Sequence, residues 1–204
     1  MIPPATFALF VTASLALVLI PGPNHLYITA RGLAQGRAAG LASAFGVETG
    51  TLVHIAAAAA GLSYVISRSA TLFAIVKWAG VAYLVYLGIR AFTGKEQEPG
   101  EAKPQPLGKV FLEGMLVNLL NPKVALFFLA FVPQFVDPGA GSPALQVVLF
   151  GLILLVLGVI SDIVYAFAAG ALGQRLHRAA RPLRYASGVV YLGLGVVMAF
   201  AGRK

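Results

Sequence analysis

The chain of 204 residues is 59% apolar and only 11% charged, whereas soluble domains carry about 25% charged residues, so much of its surface must face lipid. Its net charge of +8 does not indicate nucleic-acid binding, because most of its 15 Lys and Arg residues lie in short connectors between apolar stretches, as the positive-inside rule requires. It contains no cysteine, which excludes disulfides, thiolate catalysis and cysteine metal sites.

Six apolar segments, each long enough to cross a bilayer, predict six transmembrane helices in an all-α membrane protein. They are Ala5–Ala30, Ala38–Leu62, Thr71–Phe92, Val110–Val136, Ala144–Leu172 and Leu183–Ala201. Their high content of small residues allows helix backbones to approach closely, which predicts a packed bundle. The polar stretch Gly94–Gly108 is predicted to be a flexible loop between two halves.

The connectors predict an orientation. The odd-numbered connectors hold ten Lys and Arg residues: Arg31, Arg37, Arg90, Lys95, Lys103, Lys109, Arg175, Arg178, Arg181 and Arg184. The other side holds four: Arg68, Lys77, Arg203 and Lys204. This excess predicts that the odd-numbered connectors are cytoplasmic and that both termini lie outside.

The chain contains an internal repeat. Residues Ala79–Gly94 and Ser187–Gly202 align without gaps, and seven of sixteen positions are identical, aromatic positions included. Helices one to three then correspond to helices four to six. Because each repeat has an odd number of helices, the halves run in opposite directions through the membrane, as in secondary transporters with a midplane substrate site.

Two of the segments are interrupted at corresponding places, the first at Pro21–Asn24 and the fourth at Asn121–Lys123. Proline removes helical hydrogen bonds, and a break at membrane depth is tolerated only where protein or water satisfies the freed groups. Beyond each break a new helix begins, and its unpaired N–H groups and positive dipole end can bind a carboxylate. Asn24 and Asn121 are predicted to cap these helices or to donate hydrogen bonds to a ligand, although two plain structural kinks are the alternative.

These motifs resemble the LysE/RhtB family of bacterial amino-acid exporters. The resemblance covers essentially the full length, and it is carried by the sequences PGPN at 21–24, GVETG at 46–50 followed by His54, YLVYLG at 83–88 and NPK at 121–123. It implies proton-driven efflux of amino acids such as homoserine, threonine or leucine. The wider family often has an acidic residue directly after the second glycine of the second helix, where this chain has Thr51 and carries its acid at Glu48.

Four ionisable residues lie well inside the predicted helices, where they are costly and usually functional: Glu48, His54, Lys123 and Asp162. A transported amino acid is a zwitterion, so we expect Lys123 and the helix ends to bind its carboxylate and an acid to bind its ammonium. Glu48, His54 and Asp162 are the proton-coupling candidates. The alternatives are a structural Lys123–Asp162 ion pair, a water-exposed Glu48 and a His54 that hydrogen-bonds a neighbouring helix.

The sequence therefore predicts one transporter domain over residues 1–204, with repeat 1 at about 1–94, a loop at 95–109 and repeat 2 at about 110–204. The predicted substrate-binding residues are Pro21, Gly22, Pro23, Asn24, Glu48, Asn121, Pro122, Lys123 and Asp162. We expect no enzymatic activity, cofactor, metal site or nucleic-acid partner, because the scattered His25, His54 and His177 form no ligand motif.

The predicted function is export of amino acids from the cytoplasm across the bacterial inner membrane, and the alternative is export of another small solute or an inorganic cation. The predicted partners are the amino-acid substrate and membrane lipid. The glycine-rich faces serve either a homodimer or packing within one protomer, and the sequence leaves both open.

Overall fold

The structure is a computed structural model that describes residues 4–19, 21–68, 70–93 and 103–200. The described residues form helices and no strand. The helices are α1 (Pro4–Leu19), α2 (Pro23–Gln35), α3 (Arg37–Arg68), α4 (Ala70–Thr93), α5 (Leu107–Leu119), α6 (Pro122–Leu126) and α7 (Pro143–Phe200). Between α6 and α7 lie one π-helical turn and two 3₁₀ turns, at Phe127–Phe131, Val132–Phe135 and Pro138–Ala140.

Two helical stretches in the described part are long and apolar enough to cross a membrane, Arg37–Gly61 and Pro143–Ala169. The count rises to four if each of two bent helix pairs forms one span. The predicted all-α class is confirmed. The remaining predicted segments, Thr71–Phe92 and Leu183–Ala201, are helical within α4 and, up to Phe200, within α7.

Both predicted breaks interrupt their helices. The Thr6–Leu19 and Pro23–Gln35 helices meet at 45°, and Leu107–Leu119 meets Pro122–Phe135 at 47°. Each new helix begins with the proline of its motif, because the ring supplies a helical φ and the first residue needs no N–H donor. Asn121 caps the second of these helices as predicted, whereas the N-cap of the first is Gly22 and Asn24 lies inside the helix.

The predicted connector after the fifth segment differs from the structure, because the backbone is helical throughout α7. Its Ala-, Leu- and Arg-rich sequence favours helix, which explains the difference. α7 nevertheless folds back on itself. Asp162 and Tyr191 both lie near Lys123, since Asp162 lines a cavity together with Lys123 and the Tyr191 ring centroid is 5.7 Å from Lys123 Nζ. A straight helix would instead separate Asp162 from Tyr191, 29 residues later, by about 43 Å.

The helix α3 lies at the centre of the packing and crosses α5 at close range. A side chain at Gly46 would collide with the carbonyl group of Phe111, and one at Gly114 would place its Cβ 2.6 Å from the carbonyl oxygen of Ser43. The two backbones therefore touch, which brings the residues that follow on each helix to the same depth.

A cluster of aromatic side chains fills the space on the other side of the second break: Phe10, Phe127, Phe128, Phe131, Phe135 and Phe150. The Phe10 ring is central, with centroids 4.5 Å from Phe150 and 5.2 Å from Phe135. This cluster ties α1 to α7 and to the irregular turns after α6.

The predicted central loop falls mostly outside the described residues, which resume at Lys103 and become helical at Leu107. The glutamates at 96, 98 and 101 also lie outside them. The orientation and the division into two repeats remain predictions.

The close approach of α3 and α5 can be tested at two glycines of the same helix. Gly114→Ala places a methyl group against the Ser43 backbone and is expected to destabilise the fold by about 1–3 kcal/mol. Gly108→Ala is the control, because its Cβ would have no atom within 4 Å. Thermal unfolding in detergent measures the difference, and equal stability of the two variants would contradict the contact.

Candidate functional site

A cavity lies where the two broken helices meet. It offers about 50 Å³ to the centres of water molecules, which is room for a few of them. Its apolar wall consists of Leu17, Val18, Val124 and Leu154, and the rest consists of Gly22, Asn24, His25, Glu48, Thr51, Asn118, Asn121, Lys123, Gly158 and Asp162.

Six of the nine predicted substrate-binding residues line this cavity: Gly22, Asn24, Glu48, Asn121, Lys123 and Asp162. The three prolines do not line it, and they start or precede the helices. His54 also lies outside the lining; its Nε2 is 3.3 Å from the carbonyl oxygen of Asn118, and its ring stacks on Phe128. Its contacts match the hydrogen bond to a neighbouring helix that was the alternative for this residue.

The asparagines of the two motifs join the breaks to each other. Asn121 Nδ2 donates to Asn24 Oδ1 at 2.9 Å, while Asn121 Oδ1 accepts from the backbone N–H of Lys123 at 3.0 Å. One buried amide therefore both caps α6 and holds the start of α2.

Lys123 carries a positive charge into the same place. Its Nζ donates to the carbonyl oxygen of Leu17 at 2.8 Å and lies 5.7 Å from the Tyr191 ring centroid. Leu17 is in the last turn of α1, where carbonyl groups lack helical partners and the dipole favours a cation. The lysine of the second break thus satisfies a carbonyl group freed by the first break.

Two carboxyl groups and a histidine complete the charged lining. Glu48 on α3 and Asp162 on α7 are buried and interact with each other. His25 Nε2 lies 3.4 Å from Asp162 Oδ1. Glu48 also packs on Gly158, where any side chain would overlap its carboxyl group. The cavity therefore holds two acids, one lysine and one imidazole.

Four of these lining residues carry a buried polar atom that has no hydrogen-bond partner in the described part of the chain: His25 Nδ1, Glu48 Oε2, Asn118 Oδ1 and Asp162 Oδ2. Buried polar atoms nearly always have partners, and a cluster of exceptions needs an explanation. Their shared cavity indicates a site that binds a polar ligand or water.

The sequence did not predict three of the polar lining residues: His25, Thr51 and Asn118. His25 follows directly after the first motif and was grouped with the scattered histidines. Thr51 and Asn118 hydrogen-bond each other across α3 and α5 at 3.2 Å. Thr51 is three residues after Glu48, and Asn118 is three residues before Asn121, so helical spacing from the predicted residues could have found both.

A row of polar side chains on α2 leads from the cavity to the end of that helix, and all four contact the second half of the chain. We call it the polar row: Asn24, Tyr27, Arg31 and Gln35. Tyr27 Oη donates to Glu113 Oε2 at 3.0 Å, Arg31 Nη2 donates to the same oxygen at 2.6 Å, and Gln35 exchanges two hydrogen bonds with Gln105. Arg31 is only 5% exposed and also bonds the carbonyl oxygen of Lys103 at 2.9 Å.

The profile of the LysE type translocator family matches residues 15–202. The chain belongs to this family. The predicted resemblance is confirmed, and a LysE type translocator with apolar helices is a multi-pass membrane transport protein. Such a family points to a transporter and not to an enzyme.

Several relatives of this LysE type translocator match over nearly their full length. An uncharacterized membrane protein of Pseudomonas aeruginosa is 33% identical over 212 residues, which cover 96% of this chain and 95% of the relative. The homoserine/homoserine lactone efflux proteins of Salmonella typhimurium and Salmonella typhi are each 32% identical, over 203 and 199 residues, with 96% of both chains covered. No solved structure matches.

The link between the breaks can be measured with two asparagine variants. Asn24→Ala removes one hydrogen bond and should cost about 1 kcal/mol, whereas Asn121→Ala removes that bond and the cap of α6 and should cost about 2 kcal/mol. In the double variant the costs should not add, because the shared bond is lost only once. Thermal unfolding of the four proteins gives the coupling, and fully additive costs would refute the bond.

Proposed function

We propose that this LysE type translocator is a secondary transporter that exports amino acids from the cytoplasm across the bacterial inner membrane and binds the zwitterion in the cavity between its breaks. The observation that carries the proposal is the lining itself, in which a lysine and two carboxyl groups surround one small cavity. Relatives named homoserine/homoserine lactone efflux proteins support an amino-acid substrate and an outward direction.

The charges of the cavity suit the two ends of an amino acid. Lys123 and the N–H groups at the start of α2 can bind the carboxylate, and the Glu48–Asp162 pair can bind the ammonium. The aliphatic wall of Leu17, Val18 and Leu154 then faces the substrate side chain. The remaining predicted site residues, the prolines of the two motifs, act by placing the helix ends.

The carboxyl pair also provides a reason for coupling to protons. Two adjacent carboxylates repel each other, so the Glu48–Asp162 pair binds one proton. The one negative charge that remains on the pair balances the positive charge of Lys123, and the empty cavity is neutral. An ammonium group that binds to the pair takes the place of that proton. Substrate and proton therefore compete for the same groups, which is the requirement for export driven by the proton gradient.

We further propose that the single domain consists of two inverted repeats of three helices. The paired groups come from corresponding places: Asn24 and Asn121 from the breaks, and Glu48 and Asp162 from the second helix of each repeat. In this arrangement α7 contains the fifth and sixth helices, since it folds back between Asp162 and Tyr191. Inverted repeats around a midplane site are the usual basis of alternating access.

The alternative substrates are another small solute or an inorganic cation. In the part of the chain that the structure covers, no group of three His, Asp or Glu side chains is arranged to hold a metal ion. The lysine in the lining also disfavours a cation. A neutral small solute would make no use of the charges of Lys123 and Asp162 in its binding.

Homoserine and its lactone separate the roles of the charged groups, because the lactone has an ammonium group and no carboxylate. Lys123→Ala should lower homoserine transport by about tenfold or more, the value of one charged hydrogen bond, and should lower lactone transport less. Asp162→Asn should lower both, since both compounds carry the ammonium. Counterflow of labelled substrate in proteoliposomes measures the rates, and thermal unfolding confirms that each variant is folded.

If Lys123→Ala lowered the transport of both compounds equally, the lysine would have no carboxylate role. If the wild-type protein moved a divalent metal and no amino acid, the proposed function itself would be wrong.

The polar row closes one path to the cavity, and we propose that it is the cytoplasmic gate. The excess of Lys and Arg in the odd-numbered connectors predicts that this end of α2 faces the cytoplasm. Arg31 and Glu113 form a charged contact of 2.6 Å in which only the arginine is buried, and losing such a charged hydrogen bond costs about 1.5–3 kcal/mol. Loss of the pair therefore shifts the equilibrium towards a cavity that is open on that side.

The gate can be tested with thiol labelling, because the chain has no cysteine of its own. With Thr51→Cys as the reporter in the cavity, Arg31→Ala or Glu113→Ala should raise labelling from the cytoplasmic side by about tenfold or more, the value of one charged hydrogen bond. Lys109→Ala is the matched control, since Lys109 is exposed and its contact with Glu113 is long, at 4.0 Å. Equal labelling in all three variants would show that the row is not a gate.

A further inference from the structure

We propose that His25, and not His54, exchanges the coupled proton with Asp162. The proposal rests on the proposed function and names the residue through which the carboxyl pair gains and loses its proton. From the sequence, His54 is the proton-coupling candidate among the histidines, with a hydrogen bond to a neighbouring helix as the alternative.

The positions of the two rings differ. His25 Nε2 is 3.4 Å from Asp162 Oδ1 and 3.5 Å from Ser161 Oγ, and its ring lies against Tyr165 with centroids 4.2 Å apart. These contacts hold the ring beside the carboxyl group, and a small movement would shorten the first to a full hydrogen bond. His54 does not line the cavity, and its Nε2 faces the backbone carbonyl group of Asn118.

His25 also has a second nitrogen available. Its Nδ1 is buried and has no hydrogen-bond partner among the described residues, although the ring lines the cavity. A structural histidine usually uses both nitrogens, one as donor and one as acceptor. A ring with one nitrogen on a carboxyl group and the other without a protein partner is instead arranged to pass a proton from one side to the other.

The charged and titratable groups that face His25 come from three elements. Asp162 and Tyr165 belong to α7, Lys123 to α6 and Glu48 to α3. Lys123 lines the same cavity, so it repels a ring that carries a proton. Such a group accepts a proton when Asp162 releases one and does not retain it, which suits a relay better than a storage site.

The step balances as a simple proton transfer. The O–H bond of the Asp162 carboxyl group breaks and an N–H bond forms at Nε2 of the neutral ring, leaving a carboxylate that can receive the substrate ammonium. The imidazolium then loses the proton on Nδ1 to water in the cavity and becomes neutral again. No group other than the carboxyl, the imidazole and water is needed.

The test compares two transport modes in proteoliposomes, with homoserine as the probe. Homoserine exchange at equal pH on both sides needs substrate binding and opening but no net proton movement. Transport driven by a pH gradient needs substrate binding, opening and net proton movement. His25→Asn should lower gradient-driven transport by about tenfold or more and exchange by less than about threefold, because a positioned proton-transfer group contributes at least that much. His54→Asn should reduce the ratio of gradient-driven transport to exchange by less than about twofold.

The outcomes are distinct. Equal loss of both rates in His25→Asn, or a larger loss of coupling in His54→Asn, would overturn the assignment of His25. Absence of exchange of any amino acid by the wild-type protein would overturn the proposed function and this inference with it. A wild-type protein that exchanges homoserine while His25→Asn keeps its coupling would leave the proposed function intact and overturn the inference alone.

A second measurement needs no transport and guards against a variant that folds poorly in liposomes. The infrared C=O stretch of the protonated Asp162 carboxyl group, identified by its loss in Asp162→Asn, is followed against pH in detergent. Removal of the adjacent imidazole in His25→Gln should move the midpoint of this band by about one pH unit, whereas His54→Gln should leave it in place. An unchanged midpoint in His25→Gln would overturn the proposal.

Discussion

The structure depends on two interrupted helices whose breaks satisfy each other's free polar groups. A helix that ends at membrane depth leaves carbonyl and N–H groups that lipid cannot satisfy, and each break supplies what the other lacks. Lys123 of the second break bonds the Leu17 carbonyl group of the first, and Asn121 bonds Asn24. Neither break is therefore tolerable alone. The polar cavity lies between them because these groups hold the two breaks at the same depth.

Close backbone contact makes this arrangement possible. Gly46 and Gly114 let α3 and α5 touch, and Gly158 leaves space in α7 for the carboxyl group of Glu48. Small residues are thus placed where a helix approaches a neighbouring backbone or a buried carboxyl group. The aromatic cluster around Phe10 belongs to the same apolar core as Leu17, Val124 and Leu154 of the cavity wall.

Much of the site could be predicted from the sequence, because its strongest signals are local. Proline breaks a helix wherever it stands, and Glu48, Lys123 and Asp162 are conspicuous in apolar segments. His25 was missed because its role depends on Asp162, which lies 137 residues away. The Leu17 carbonyl group has no sequence signal at all. The basic residues after the fifth segment predict a connector, whereas the structure has helical backbone there, because Arg and Ala are good helix formers.

The helix α2 contributes residues both to the cavity and to the far end of the polar row. Its 13 residues span about 20 Å, with Asn24 and His25 in the cavity at one end and Arg31 and Gln35 at the other. A straight segment of this length behaves as a lever, so a tilt that parts Arg31 from Glu113 also displaces the cavity residues. In the proposed gate, substrate binding and opening therefore both act on this one helix.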